Sequence, residues 1–437
     1  MALEWYLTLG GVEIANHARL TTYLETVGSG LDSATPCGCE TFTAGLVGDL
    51  PYSTPAEDAA PWYDPSVPES ADFAGLLVTE VEGLDKHPVG RSVTNAVTGG
   101  GAIGPARVMP RTITVTAVLL GATCCAVDYG LHWLSEVLTG CTTGECEGDC
   151  LTLFNCCPSE EMDPETFQER HRRSLRRVAL VEGPTVLERH GDSCAGGQCS
   201  AGGEILTVEF ILTAGTPWLY TDTAPVLEVA PPMEPGTECV TWCLHGDEDG
   251  CEGTCRLAAC MDPTAACADP TCAAPAPPAP TLPDTCFCQP IAVERECWDV
   301  DLTARPGWSV DVPMITVLAG EHDLRNVTLT FYERAEGDAG LSCEEIADNS
   351  RCSPHSVYSI RYVPAGGALT LDGQIGRGTV ECGGTCETSP DVYGRDGLPP
   401  TWKPLSCASY CLCIESDVSN PPAPGATVSL GVSGRGY

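Results

Sequence analysis

Lysine is almost missing from this chain: Lys86 and Lys403 are the only two in 437 residues, and 22 basic residues stand against 60 acidic ones for a formal charge of −38. A surface so poor in cations repels a phosphate backbone and an anionic bilayer alike, which argues against nucleic acid and membrane insertion as partners. Catalytic signatures are missing too. There is no H-E-x-x-H, no G-x-S-x-G around any serine, and the eight histidines are scattered, so no enzyme, cofactor or catalytic residue is expected. Long apolar runs are absent, and the opening MALEWYLTLGG has no basic leader and turns polar by Thr8; neither an export signal nor a spanning helix is expected. Finally, no two cysteines have the C-x2-C spacing that zinc ribbons and fingers use to close a tetrahedron around the ion.

Cysteine itself is abundant, with 28 residues, far more than a reducing cytosol supports as free thiols. The number is even, which permits complete pairing. The spacings are C-x-C (Cys37/Cys39, Cys286/Cys288, Cys411/Cys413), adjacent pairs (Cys124/Cys125, Cys156/Cys157) and C-x3-C or C-x4-C. Adjacent and C-x-C cysteines bond poorly to each other, so each sulfur should reach a distant partner. Disulfides are favoured over zinc, with Cys194, Cys199, Cys239, Cys243, Cys251, Cys255, Cys260, Cys267, Cys272, Cys343, Cys352, Cys382 and Cys386 as candidates. Zinc binding, the competing explanation, requires metal in the purified chain. A protein made in a cytoplasm and released by lysis reconciles the sulfur load with the lack of an export signal.

Length and the richness in glycine (47) and proline (36) predict a modular, mainly β protein, α+β in its N-terminal part. Residues 1–235 read as a first domain. In RTITVTAVLL (111–120), Ile113, Val115, Ala117 and Leu119 face one way and the threonines the other, a half-buried strand. AVDYGLHWLSEVLTG then sets Val127, Leu131, Leu134 and Leu138 on one stripe before Gly140, predicting a helix over 126–139. A second helix over 164–177 is signalled by Asp163 as N-cap, Pro164 at the first position and Met162 poised to staple Phe167. Strands 178–189 and 204–215 flank a loop whose Cys194 and Cys199 suit a bridge at a hairpin tip. Residues 236–296, rich in Cys, Pro and acid, have too few large apolar side chains for a core and read as an insertion or linker stapled by disulfides. Seven cysteines lie in 239–272, so at least one pairs outside it, with Cys286, Cys288 or Cys297 within reach. From 297 to 437 alternation returns in CWDVDL, NVTLTFYE, VYSIRYV and ATVSLGV, a β-sandwich pattern, with Asp372-Gly373 marking a tight primed hairpin turn.

Four stretches invite functional readings. GGGAIG (99–104) fits G-x-G-x-x-G but leads to Pro105 and a strand rather than a helix, so a flexible loop is expected and not a dinucleotide site. HGDEDGCE offers His245, Asp247, Glu248 and Asp249, a solvated acidic turn in preference to a calcium loop. RHRRSLRR is the only basic cluster; in so acidic a chain Arg170, Arg172, Arg173, Arg176 and Arg177 suit a helix C-terminus and a protein contact rather than nucleic acid. Trp62 and Tyr63 in APWYDP suit either a sugar-stacking face or an aromatic plug in a subunit interface.

VALVEGPTVLE (178–188) followed by FILTAGTPWLYTDT (210–223) resembles the end of the N-terminal domain in minor tail proteins of long-tailed actinobacterial phages. IRYVPAGGALTLDG (360–373) resembles the hairpin of their C-terminal sandwich, and the strand, helix and CCP run of 111–158 agrees. The similarity covers most of 70–235 and 297–435, and the chain is similar to distal tail proteins. That resemblance implies an N-terminal ring-forming β-domain with helices followed by a galectin-like β-sandwich. It also implies a homo-oligomer, a hexameric ring, that contacts tail tube and hub proteins in a virion. The rival expectation is an adsorption module that holds host cell-wall glycan through the C-terminal sandwich.

Overall fold

The computed structural model describes residues 3–27, 39, 41–47, 52–86, 88–97, 99–140, 148–158, 160–191, 201–233, 240–244, 285–289, 293–305, 310–382, 385–417 and 420–436. The protein is mainly β. It divides into two units, Met1–Asp222 with Gly434–Tyr437, and Thr223–Ser433. No helix among the described residues is long and apolar enough to cross a membrane.

In the first unit, Arg111–Thr123 is the central strand, paired antiparallel with Phe73–Glu82 on one side and Ala201–Ala214 on the other. Its period-two pattern decides what it buries: Ile113, Val115, Ala117 and Leu119 are all at most 1% exposed. Ala201–Ala214 continues the sheet to Arg172–His190, which pairs with Asp149–Phe154, and that strand pairs with Leu3–Leu9. Phe210, Leu206 and Val208 enter the same core, each buried side chain of this kind contributing roughly 1.5–3 kcal/mol. The helix Cys124–Thr139 packs on this sheet, starting two residues earlier than the pattern suggests because Thr123 caps it through a bond from the Ala126 amide. Val127, Leu134 and Leu138 are buried as expected, Leu131 only partly, and Gly140 ends the helix at φ +55°.

The second predicted helix is shorter than its sequence suggests. It runs Pro164–His171, capped by Asp163, with Phe167 fully buried beside Phe42 and Phe154 and Met162 packed against that cluster. At Arg172 the backbone becomes extended and the chain enters the strand Arg172–His190. Pairing of Arg172–Leu175 with Leu151–Phe154 and burial of Leu175 and Val178 outweigh the helical preference of the arginines.

The second unit is a two-sheet sandwich. One sheet orders the strands Val293–Asp301, Ser409–Asp417, Leu324–Glu333, Ser356–Val363 and Val392–Tyr393. The other includes Ala224–Val229, Thr427–Gly436, Val310–Leu318, Ala368–Asp372 and Arg377–Cys382. Val300, Leu329, Phe331, Ile360 and Leu412 from the first meet Ile315, Val317, Leu369, Leu371, Val428 and Leu430 from the second in one core. Ala224–Val229 pairs with Val428–Val432, which moves the unit boundary from the expected 235 to 222/223. The expected linker of 236–296 contains one described hairpin, Val240–Leu244 with Thr285–Gln289, in which Cys243 stands opposite Cys286 in register; from Val293 the chain is already sandwich strand.

The hairpin at Asp372-Gly373 forms, but not with a two-residue turn. Asp372 pairs with Arg377, and Gly373–Gly376 make a four-residue loop. The Asp372 carboxylate accepts from the Gln374 amide at 2.8 Å, and the positive φ falls on Gly376 instead.

Candidate interaction surfaces

Cys411 and Cys413, two apart on one strand, bridge to different partners, Cys343 and Cys297. Cys157 bridges to Cys39 while its neighbour Cys156 stays free. Cys124, Cys125 and Cys352 are disulfide-bonded as well. Pairing is not complete: Cys150, Cys156 and Cys407 are free among the described residues. The Cys343–Cys411 and Cys297–Cys413 bridges lie under the helix Cys343–Asn349, whose Ser342 and Glu345 form a capping box, a signal already present in SCEE. Cys382 and Cys386 stand on the paired strands Arg377–Cys382 and Thr385–Thr388. Cys194, Cys199, Cys239, Cys251, Cys255, Cys260, Cys267 and Cys272 lie outside the described residues, as does the acidic run His245–Asp249; of Cys243 only the backbone is described.

Cys343, Cys411 and Asp299 place their ligand atoms within 4.8 Å of one another. The two sulfurs are spent on each other, and the Arg334 guanidinium reaches Asp299 and lies 3.6 Å from Cys343 Sγ, so the cluster already holds a cation of its own. The free thiol of Cys156 is exposed and lies 3.1 Å from His171 Nδ1, which is also 3.0 Å from Asn155 Oδ1. Burial and the neighbouring Arg173 and Arg170 hold the His171 pKa below its ordinary value.

The basic cluster does not form the helical patch expected of it. Arg170 is exposed in the last helical turn, but Arg172, Arg173, Arg176 and Arg177 are partly buried strand residues. Arg172 lies 3.7 Å from Asp222 of the same unit, and Arg173 Nη1 donates to the Arg172 carbonyl. Arg177 sits at φ +57° where the pairing register jumps between Leu175 and Val178.

Trp62 is neither a sugar platform nor a surface plug. It is 5% exposed, donates Nε1–H to the Phe73 carbonyl at 2.9 Å and packs edge-on to Phe73, Trp133 and Tyr23. An indole with one donor and a large apolar face is better satisfied there than in water. Tyr63 is partly buried against the same core.

Beside this core lies a pocket of about 700 Å3 lined by Gly11, Val12, Glu13, Arg19, Glu57, Asp58, Ala59 and Pro61. Its floor is a polar network. Arg19 Nε donates to Glu13 at 2.8 Å and Nη1 to Tyr23 at 3.1 Å, while the guanidinium lies 4.5 Å over the Tyr52 ring. Asn16 Nδ2 donates to Glu13 at 2.9 Å and its Oδ1 caps the helix His17–Thr26. Burial opposes the charge on Arg19, but Glu13 and the bond to Tyr23 more than offset it and raise its pKa. The rim is acidic: Glu57 is exposed, and Asp58 accepts from the Ser53 amide and hydroxyl.

The GGGAIG loop proves to be the tip of a two-stranded ribbon inserted between Phe73–Glu82 and Arg111–Thr123. Val89–Gly90 pairs with Arg107–Val108, and Val93–Asn95 with Gly101–Ile103, with Gly99 and Gly100 at positive φ in the turn. No helix follows, so the sequence cannot cradle a dinucleotide. Every described residue from Arg91 to Pro110 is exposed except Gly104, which is partly so. In the second unit, a groove of about 520 Å3 is lined by apolar Pro225, Val226, Leu227 and Met314 together with the hydroxyls of Thr316, Thr370 and Ser429.

No family model matches the chain, and no curated protein matches it. Among solved structures, it aligns with the SPP1 Dit (gp 19.1) protein, described as a paradigm of the hub adsorption apparatus in phages infecting Gram-positive bacteria. That alignment covers 82% of this chain and 93% of the other at 11% identity, with a TM-score of 0.34. A superposition at that score assigns neither fold nor function.

Proposed function

We propose that the protein is a structural component of a phage tail tip, without enzymatic activity, that assembles as an oligomeric ring joining the tail tube to the tip. The tail assignment is supported by the resemblance of residues 178–188, 210–223 and 360–373 to minor tail proteins of long-tailed actinobacteriophages. The oligomeric part is carried by one observation: the ribbon of residues 88–109 exposes Val93 at 65%, Val97 at 106% and Ile103 at 69%, on a two-stranded element with no sheet to lean on. Isolated hairpins are marginal in water and exposed apolar ribbons invite pairing, so such a feature is kept where an assembly covers it. Bridges such as Cys297–Cys413 suit a particle that leaves a reducing cytoplasm at lysis. On this reading the ring is six-fold, its neighbours are tube and hub proteins, and its place is the virion.

Negative-stain microscopy of the purified protein, with antibody labelling of tail particles, tests the reading. Rings in the preparation and label at the end of the tail support it; a chain that stays monomeric at every concentration and labels no tail overturns it. The rival reading, glycan binding through the second unit, draws on the hydroxyl-bearing groove at Thr316, Thr370 and Ser429. A glycan array probed with the full chain separates the two.

A further inference from the structure

The ribbon carries a charge pattern opposite to the rest of the chain. Residues 86–111 contain no Asp or Glu, in a protein with 60 of them, and hold Lys86, Arg91, Arg107 and Arg111. Arg111 is buried at the base, 2% exposed, whereas Lys86, Arg91 and Arg107 face solvent. From Val89 to Val97 the ribbon runs eight residues, roughly 26 Å at about 3.3 Å per residue. It is held together by its own backbone, through Met109 to Pro88 at 2.7 Å and Gly104 to Ser92 at 2.8 Å. Basic side chains and apolar valines are thus presented together on a preformed element.

The pocket at the Arg19 network has the complementary character. Glu57, Asp58 and Glu13 leave it net acidic around the single buried Arg19, and Val12, Ala59 and Pro61 supply an apolar rim. Val12 is 37% exposed, and Ala59 holds φ +47°, an uncommon conformation for a residue with a Cβ.

We propose that the ribbon of one copy docks at the Glu13/Glu57/Asp58 pocket of a second copy through its basic stretch, with Arg91 and Arg107 toward the acidic rim and Val93 and Ile103 beside them. Two different complementary patches on one subunit make a head-to-tail contact, which closes into a ring when the rotation between copies permits. The charges steer and orient the encounter, and burial of Val93 and Ile103 supplies the holding energy. This inference deepens the ring reading and rests on it, but names the contact independently of ring size and of the tail.

The test uses the full chain with a photo-crosslinking phenylalanine derivative at Val93, irradiated under assembling conditions and mapped by mass spectrometry. Crosslinks between subunits at residues 57–61 are expected. Arg91→Glu with Arg107→Glu is expected to raise the concentration needed for association about tenfold or more, with the thermal midpoint of the unassembled chain unchanged. Adding Glu57→Arg is expected to recover most of that loss, and raised salt to weaken wild-type association. Rings that form normally but crosslink Val93 elsewhere, or that ignore the charge reversals, overturn the docking and leave the ring reading standing. A wild-type chain that never associates overturns both.

Discussion

The Arg111 guanidinium donates to the Gly83 carbonyl at 2.9 Å, across the two strands from which the exposed ribbon springs. The same side chain also donates to the carbonyls of Leu84 and Pro217, so one fork of donors ties both edges of the ribbon's base to the body of the unit. Burial lowers the Arg111 pKa, with Asp85 opposing. Arg111→Lys cannot reach three carbonyls at once, and Arg111→Ala leaves them unpaired; a loss of roughly 2–3 kcal/mol is expected for the alanine variant, measured by chemical denaturation.

Gly83 itself is held at φ +94°, and a Cβ there would sit 2.1 Å from the Thr112 carbonyl oxygen. Gly83→Ala is therefore expected to cost about 1–3 kcal/mol and to shift the base of the ribbon. Hydrogen exchange should show faster opening at Thr112 and Ile113 in the variant. Unchanged exchange and stability would mean that the close approach does not exist.

Glu13 and Arg19 form a buried pair whose side chains are 11% and 6% exposed. Removing one partner strands the other, so Glu13→Ala is expected to destabilise by about 3–5 kcal/mol. Glu13→Gln, whose single carbonyl oxygen can still accept from Arg19 but whose NH2 cannot accept from Asn16, should cost less than the alanine. The pair itself need not stabilise relative to an apolar replacement; a double variant, Glu13→Leu with Arg19→Met, recovering most of the loss would show that the damage lies in the orphaned charge.

The Cys343–Cys411 bridge closes a loop over a sequence separation of 68. Chain-entropy arguments put its contribution near ~4 kcal/mol at most, so the Cys343→Ser/Cys411→Ser variant is expected to melt well below wild type, with the loss confined to the second unit. Alkylation of the native protein without reductant should label Cys150, Cys156 and Cys407. It should spare Cys39, Cys157, Cys297, Cys343, Cys411 and Cys413. Stoichiometric zinc together with free thiols at the paired positions would overturn the disulfide assignment.

Three histidines respond to pH in the same direction. Burial lowers the pKa of His17, of His171 with help from Arg173 and Arg170, and of His355 with help from Lys403, all from an ordinary value of 6.5. Above 6.5 both folded and unfolded chains hold these rings neutral. As pH falls through 6.5 the unfolded chain takes up protons that the folded chain still refuses, so stability declines until the folded values are reached. Half-buried Glu415, whose pKa is raised by desolvation, acts oppositely at lower pH because its folded form takes up a proton first. Replacing the three histidines with glutamine should flatten the slope of unfolding free energy between pH 6.5 and 5.5, read from denaturant titrations.

Much of the local structure was legible in the residues. Alternation in 111–120, 326–333 and 426–432 named the buried faces, and Asp163-Pro164 and Gly140 fixed helix ends, because these depend on side-chain periodicity and on the backbone of one or two residues. The stop at His171 was not legible, since Arg172–Leu175 would extend a helix if the strand Asp149–Phe154 were not waiting to pair with it. The two-residue turn expected at Asp372-Gly373 gave way to a loop capped by the Asp372 carboxylate. The acid-free run of 86–111 is plain in the residues; that it forms a ribbon open to solvent is decided by the tertiary structure.

By itself, then, the chain settled its period, its caps, its acidity and the rule that neighbouring sulfurs look elsewhere. Tertiary structure decided who met whom: Cys411 with Cys343, Trp62 with Phe73 and Trp133, Arg111 with the base of an exposed ribbon, and Ala224–Val229 with the second unit. The reason is physical. Local pattern states that a strand has an apolar face and a cysteine a reactive sulfur. Which distant face or sulfur completes it depends on the packing of the unit as a whole, where contacts far apart in sequence are selected together.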